Sequence, residues 1–162
     1  MLQFWWTGEQ GRKVNNWGPW ICENLLLTMG VFVEDMKIRE AVVNRCLVTL
    51  DNFLDCYAPD GGCDEGPGYW GGAGGNLFDC LELIEDMTVI DRFFVVTPPR
   101  QRTKENLASL LNCSQRQALR KIYALYGMSF QNKLTLSRIE TAQHLLRTTQ
   151  DSIDKICEAV GY

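Results

Sequence analysis

Two arginines set four residues apart, Arg116 and Arg120, form a pattern suited to contact with nucleic acid. Residues three and four apart lie on the same side of a helix, so both guanidinium groups would share one face. Arginine at such a position can contact a phosphate or form paired hydrogen bonds to guanine. The charged surface of a small helical bundle explains the same pattern equally well from the residues alone.

Short predicted helices position this pair. Ser114, with Gln117 three residues later, has the capping-box pattern for a helix over residues 114–126, and a shorter helix precedes it. Ser129 is predicted to cap a longer helix over residues 130–146. Two short helices joined by a tight turn, the second of them basic, are typical of a helix-turn-helix. The buried face predicted for the long helix consists of Phe130, Leu134, Ile139, Ala142, Leu145 and Leu146.

A second candidate site lies in the glycine-rich stretch 58–72, which is predicted not to be helical. It carries Asp64, Glu65, Tyr69 and Trp70. Two carboxylates beside a tyrosine, on a backbone that glycine lets approach a ligand, suit a sugar-binding site. A structural loop capped by aromatic side chains explains these residues equally well.

The cysteines and the single histidine lack the spacing of a metal site. There are seven cysteines without a CxxC pair, and His144 falls on the polar side of a predicted helix. Zinc sites need clustered Cys and His ligands. We interpret the cysteines as reduced, small core residues, and we predict neither a metal nor a cofactor.

Charge divides the chain into two parts. Residues 1–88 carry 5 Lys/Arg against 14 Asp/Glu, a net charge of −9, whereas residues 89–162 carry 11 against 6, a net charge of +5. The split indicates two units with different partners, or two differently charged solvated faces. No apolar run approaches the roughly 20 residues of a membrane span, and the first residues lack a signal-peptide pattern. We therefore predict a cytoplasmic protein without membrane contact.

The acidic part is predicted to consist of helices. Apolar residues follow Pro19, a second helix covers residues 35–57, and a third runs from Asn76 to about Met87. Residues 89–102 change in character and are predicted to be a linker, in which residues 93–96 form a short strand or a docking contact. The pair Pro98-Pro99 breaks any helix there.

The basic part, over residues 103–162, resembles the AraC-type DNA-binding domain. Members of that family carry two helix-turn-helix units joined by one long helix. By position, Arg116, Leu119 and Arg120 are expected to face the major groove, where Leu119 could contact a thymine methyl group. The residues that carry the resemblance are Leu107, Ala108, Leu111, Asn112, Ser114, Arg120, Gly127, Met128, Ser129, Phe130, Leu134, Arg138, Ile139, Glu140, Ala142, Leu145, Leu146, Ser152, Ile153, Ile156, Val160, Gly161 and Tyr162.

Further expectations follow from this resemblance. Lys104, Lys133, Arg138 and Arg147 are candidates for phosphate contact or are plain surface charge, and we list Arg138 with the DNA-binding residues. Lys121 stands where the family usually has an apolar core residue. The second helix-turn-helix unit is expected to be incomplete, since its recognition helix is not in the sequence.

Residues 15–88 resemble the heparinase II/III-like polysaccharide lyases. The resemblance rests on Asn15-Asn16-Trp17, the long glycine-rich motif that includes Tyr69, and Leu77-Phe78-Asp79. It implies part of an α/α toroid and β-elimination on an acidic polysaccharide of uronic acids. In that reaction Asn16 would neutralise the uronate carboxyl group and Tyr69 would transfer protons. Trp17 and Trp70 replace expected histidines, and a proton-transfer partner for Tyr69 is missing, so we predict no lyase activity.

The sequence thus predicts an all-α chain of partial toroid-like helical hairpins followed by an AraC-type helix-turn-helix bundle. The predicted domains are a lyase-like fragment at residues 1–88, a linker at 89–102 and a DNA-binding domain at 103–162. The predicted function is sequence-specific binding of double-stranded DNA in transcription control. The alternative is a uronic-acid polysaccharide lyase fragment, inactive as it stands.

Overall fold

The computed structural model describes residues 4–63 and 65–162, without the side chain of Gln10. Asp64, one of the loop carboxylates considered above, lies outside the described residues. Within them the protein has seven α-helices and no strand, which confirms the all-α prediction. The helices are α1 Trp17–Phe32, α2 Met36–Asp55, α3 Asn76–Val96, α4 Lys104–Leu110, α5 Gln115–Tyr126, α6 Phe130–Thr148 and α7 Ile153–Val160.

The chain divides into two compact units, and the boundary between them falls within α3, after Glu85. The domain division predicted from the sequence, at residues 1–88, 89–102 and 103–162, stays a prediction, as does the family assigned to each part. Among the described residues, no helix has both the length and the apolar character needed to cross a bilayer.

The first unit, Met1–Glu85, is built on a pair of helices joined by three residues. Asp35 caps α2 by accepting hydrogen bonds from the backbone N–H groups of Lys37 and Ile38. The two helices bury Cys22, Leu26 and Met29 from α1 and Cys46, Leu50 and Phe53 from α2. Short 3₁₀ turns precede α1, and a π-helical turn at Gly71–Gly75 leads into α3.

The second unit, Asp86–Tyr162, contains the end of α3 and helices α4 to α7. Its core is formed by apolar side chains from each of these helices. They are Met87, Ile90, Phe93, Phe94, Leu107, Ala108, Ala118, Ile122, Leu125, Tyr126, Phe130, Leu134, Ile156 and Val160.

The third helix begins at Asn76 as predicted but continues to Val96 instead of ending near Met87. Residues 93–96 are therefore helical, and the strand considered for them was wrong. Phe93 and Phe94 are buried, and the Phe94 ring lies 5.7 Å from that of Phe130. Packing of this face against α6 outweighs the strand preference of the β-branched residues around it.

The buried face of α6 differs from the predicted one beyond Leu134. Ile139 and Leu146 are exposed, whereas Ser137 is buried. The Ser137 hydroxyl donates to the Phe94 carbonyl at 3.0 Å and accepts from the Arg102 guanidinium at 3.2 Å. Because the buried hydroxyl makes both hydrogen bonds, it avoids the free-energy cost of an unpaired polar group. A polar residue is therefore stable at this buried position.

Candidate nucleic-acid interface

Helix α5 has defined ends that come directly from the local sequence. The Ser114 hydroxyl accepts from the Gln117 backbone N–H, and the Gln117 side chain accepts from the Ser114 backbone N–H at 3.0 Å. This reciprocal capping box confirms the predicted helix start. At the other end Gly127 adopts a left-handed conformation with φ of 64°, which favours glycine at this position.

A tight turn joins α4 to α5. Asn112 has φ of 49°, a left-handed conformation that asparagine tolerates better than most residues. The Cys113 backbone N–H donates to the Ala108 carbonyl at 3.0 Å and closes the end of α4. The turn is therefore set by backbone hydrogen bonds, and α5 follows α4 as the second helix of a helix-turn-helix.

The two sides of α5 differ sharply. Ala118, Ile122, Leu125 and Tyr126 are buried against the unit. A second set of side chains lines a shallow concave surface, which we call the α5 strip: Gln115, Arg116, Leu119, Arg120, Tyr123 and Ala124. The structure thus brings together the three residues predicted to face the groove, and it adds Gln115 and Tyr123, which the sequence reasoning missed.

The arginines of the α5 strip carry the uncompensated charge of this helix. Arg116 and Arg120 are exposed, and neither forms an ion pair or a side-chain hydrogen bond with the described residues. Lys121, by contrast, pairs with Asp86 at 2.5 Å on the edge of the helix. This pairing explains why a lysine can replace the apolar residue expected at position 121, because its charge is neutralised where it is partly buried.

The phosphate-contact candidates occupy different surroundings. Lys133 pairs with Asp91 at 3.5 Å and lies 4.0 Å from the ring centroid of Tyr126. Lys104 and Arg147 are exposed, at the start of α4 and near the end of α6. Lys133 is thus engaged within the protein, whereas Lys104 and Arg147 face solvent.

Arg138 lies apart from the residues that line the α5 strip. It is half-buried, its guanidinium carbon lies 5.1 Å from the ring centroid of Tyr162, and its buried Nε atom has no hydrogen-bond partner. Arg102, which the sequence reasoning did not single out, is buried and donates to the Thr97 carbonyl at 2.8 Å. Burial, and then the positive charge of Arg138, lower the pKa of Arg102.

In the first unit, Asn16 and Tyr69 line one pocket of about 320 Å³. Trp17, Trp20, Gly72 and Asn76 complete its lining. The Asn16 side-chain oxygen is buried and lacks a hydrogen-bond partner, and it does not cap α1. Asn16, predicted to neutralise the uronate carboxyl group, and Tyr69, predicted to transfer protons, therefore line the same pocket, and its lining residues include no histidine, lysine or arginine.

All seven cysteines are free thiols. Cys22, Cys46 and Cys80 are buried in the first unit, as expected for small core residues, but Cys157 is exposed. Burial, with the neighbouring Cys46, raises the pKa of Cys80 to about 12, so this thiol stays protonated and unreactive at neutral pH.

Residues 107–162 match the family model described as a helix-turn-helix domain. The match runs from α4 to the last residue and supports the predicted AraC-type helix-turn-helix in the C-terminal part. It covers about a third of the chain, and the resemblance of residues 1–88 to lyases finds no support. No curated protein and no solved structure matches the chain.

Proposed function

We propose that this chain is a sequence-specific DNA-binding protein that regulates transcription in the manner of AraC-type regulators. The observation that carries the proposal is the α5 strip: two exposed, unpaired arginines on the second helix of a helix-turn-helix whose ends are both capped. The family match over the same residues supports the fold of this unit, and double-stranded DNA is the partner that this fold suggests.

The roles follow from the chemistry of base recognition. Arg116 and Arg120 would each form paired hydrogen bonds with guanine O6 and N7, and Leu119 between them would contact a thymine methyl group. Arg138 stays a predicted phosphate contact, and its guanidinium group also packs on the Tyr162 ring.

The test is a binding site selected by the whole chain from a random duplex library, followed by fluorescence anisotropy with selected and unrelated duplexes. The parent should prefer the selected duplex, and Arg116→Ala combined with Arg120→Ala should abolish that preference. The matched control is Arg100→Ala with Arg147→Ala, which removes two exposed arginines outside α5. The control should keep the preference while weakening binding to both duplexes. A double α5 variant that discriminates as well as the parent would contradict the assignment.

The proposed organisation keeps residues 1–88 as an acidic helical part and residues 103–162 as the DNA-binding part, connected through residues 89–102, of which the helical residues up to Val96 pack with the second unit. Limited proteolysis with mass spectrometry tests it. Because Phe93 and Phe94 are buried in the second unit, we expect protected fragments to retain them and cleavage to avoid the end of α3. Preferred cleavage between residues 89 and 96 would instead show that these residues form an exposed linker, as the sequence predicts.

The second candidate, a polysaccharide lyase, is favoured by one observation, the shared pocket of Asn16 and Tyr69. An acidic polysaccharide would be its substrate. β-Elimination needs groups that both remove and return a proton, and Tyr69 has no second acid or base among the residues that line the pocket. We therefore expect no rise in ultraviolet absorbance when the folded chain is incubated with uronate polymers. A rise that Tyr69→Phe abolishes would establish the lyase function.

A further inference from the structure

Tyr123 lies near the C-terminal end of the α5 strip, two helical turns after Arg116. Seven residues of an α-helix return to nearly the same direction, within about 20°, after a rise of about 10 Å. Arg116 and Tyr123 therefore lie on one line along the helix, with Leu119 on one side of it and Arg120 on the other. A surface that contacts both arginines and continues along the helix for about one more turn also meets Tyr123.

The two tyrosines of α5 have opposite surroundings. Tyr126 is only 3% exposed, and its hydroxyl donates to Asp91 at 2.8 Å. Tyr123 is 67% exposed, and its hydroxyl has no partner among the described residues. The hydroxyl of Tyr126 thus serves the fold, whereas that of Tyr123 is available to a ligand.

The position along the helix suggests which part of DNA this hydroxyl meets. The N-terminal residues of a recognition helix contact base edges. When α5 enters the groove with its N-terminus first, a side chain about 10 Å further along the helix has moved away from the base edges and toward the phosphates that line the groove. Tyrosine hydroxyls are among the side-chain groups that donate hydrogen bonds to phosphate oxygens.

We propose that Tyr123 donates a hydrogen bond from its hydroxyl to a DNA phosphate at the edge of the groove that α5 enters. This inference rests on the proposed DNA-binding function. It assigns Tyr123 an anchoring role that is independent of base sequence, alongside the base-reading role of Arg116 and Arg120.

A neutral hydroxyl leaves a distinctive signature in the salt dependence of binding. Each phosphate neutralised by a cation releases counterions and adds about 0.9 to the slope of log K against log salt concentration. A tyrosine hydroxyl adds affinity without that increment. Removing it should weaken binding and leave the slope unchanged, whereas replacing it with lysine should steepen the slope by about 0.9.

The experiment measures binding of the whole chain to selected and unrelated duplexes by anisotropy at several KCl concentrations. Tyr123→Phe should weaken binding roughly ten- to hundredfold on both duplexes, with the same ratio between them and the same salt slope. Tyr123→Lys should recover affinity at low salt with the steeper slope. The matched control is Tyr162→Phe, which removes a hydroxyl from an equally exposed tyrosine of the same unit and should leave affinity unchanged.

Methylphosphonate substitution, one phosphate at a time, then locates the contact. At one position the neutral linkage should weaken the parent more than it weakens Tyr123→Phe, because the variant has already lost that hydrogen bond. Parent-like affinity of Tyr123→Phe, or a change of base preference in it, overturns the inference. A parent that binds all duplexes equally overturns the sequence-specific function, yet Tyr123→Phe should still weaken that binding, so the two failures are distinguishable.

Discussion

Asp91, in the last two turns of α3, connects two helices of the second unit through one carboxylate. Its Oδ1 accepts a hydrogen bond from the Tyr126 hydroxyl of α5 at 2.8 Å and lies 3.5 Å from the Lys133 ammonium group of α6. The Lys133 and Asp91 side chains are only 15% and 19% exposed. Asp91→Asn keeps an acceptor for Tyr126 but removes the charge opposite Lys133. We expect this substitution to destabilise α5 and α6.

The magnitude follows from the distance and the burial. At 3.5 Å and an effective dielectric constant of about 20, the pair attracts by roughly 5 kcal/mol before solvation is counted. Exposed pairs contribute about 0–1 kcal/mol, and breaking a fully buried pair costs about 3–5 kcal/mol. A pair that is largely but not fully buried falls between these limits, so we expect Asp91→Asn to cost about 2 kcal/mol. A loss of about 2 kcal/mol raises the equilibrium constant for local opening roughly thirtyfold.

Native-state hydrogen exchange measures the free energy of local opening, because the amides of α5 and α6 report the opening of their own unit. Their protection should fall roughly thirtyfold in Asp91→Asn. The control is Asp151→Asn, whose partner Lys155 lies 3.9 Å away with both side chains well exposed, and it should change protection less than about twofold. A double-mutant cycle with Lys133→Gln should show coupling. Strict additivity, or a loss no larger than in the control, would refute the reasoning.

Three further predictions concern backbone, charge and cap. Gly8 and Gly11 have similar left-handed conformations, but only at Gly8 would an added Cβ lie 2.7 Å from a neighbouring side-chain carbon. Thermal unfolding should therefore show that Gly8→Ala costs about 1–3 kcal/mol more than Gly11→Ala. Burial and then the Asp79 charge raise the pKa of Glu23, so this group's stability contribution is present below its unfolded pKa near 4.5 and lost as pH rises through the folded value. Glu23→Gln should thus stabilise the first unit at pH 7 but not at pH 3, measured by urea titration, and equal effects at both pH values would contradict this. Ser114→Ala should cost about 1 kcal/mol, seen as faster hydrogen exchange in the first turn of α5 only; unchanged exchange there would argue against the cap.

Features set by neighbours in the chain were predictable. Ser114 and Ser129 cap α5 and α6 as predicted, since a cap needs only a hydroxyl and the N–H groups of the next turn. The extent of α2 agrees with the prediction for the same reason, because Asp35 caps its start. The helix α3 begins at Asn76 as predicted, but Gly71–Gly75 before it form a π-helical turn, so the prediction that residues 58–72 are not helical was wrong for 71 and 72. The spacing of Arg116 and Arg120 likewise fixed their common face once the helix was known.

Features set by distant partners were not predictable. The continuation of α3 to Val96 depends on Phe94 meeting Phe130, a contact between residues far apart in sequence. The neutralisation of Lys121 and Lys133 by Asp86 and Asp91 has the same origin, and no local pattern marks it.

The sequence by itself therefore determined the helical class, the capped helix-turn-helix and the pair of arginines that α5 presents, because each depends on short-range hydrogen bonding and helical periodicity. Only the tertiary structure decided which cations remain free, since ion pairing depends on which carboxylates the fold brings near. It also decided that Tyr126 is inside and Tyr123 outside, because the burial of a side chain depends on what packs against its helix.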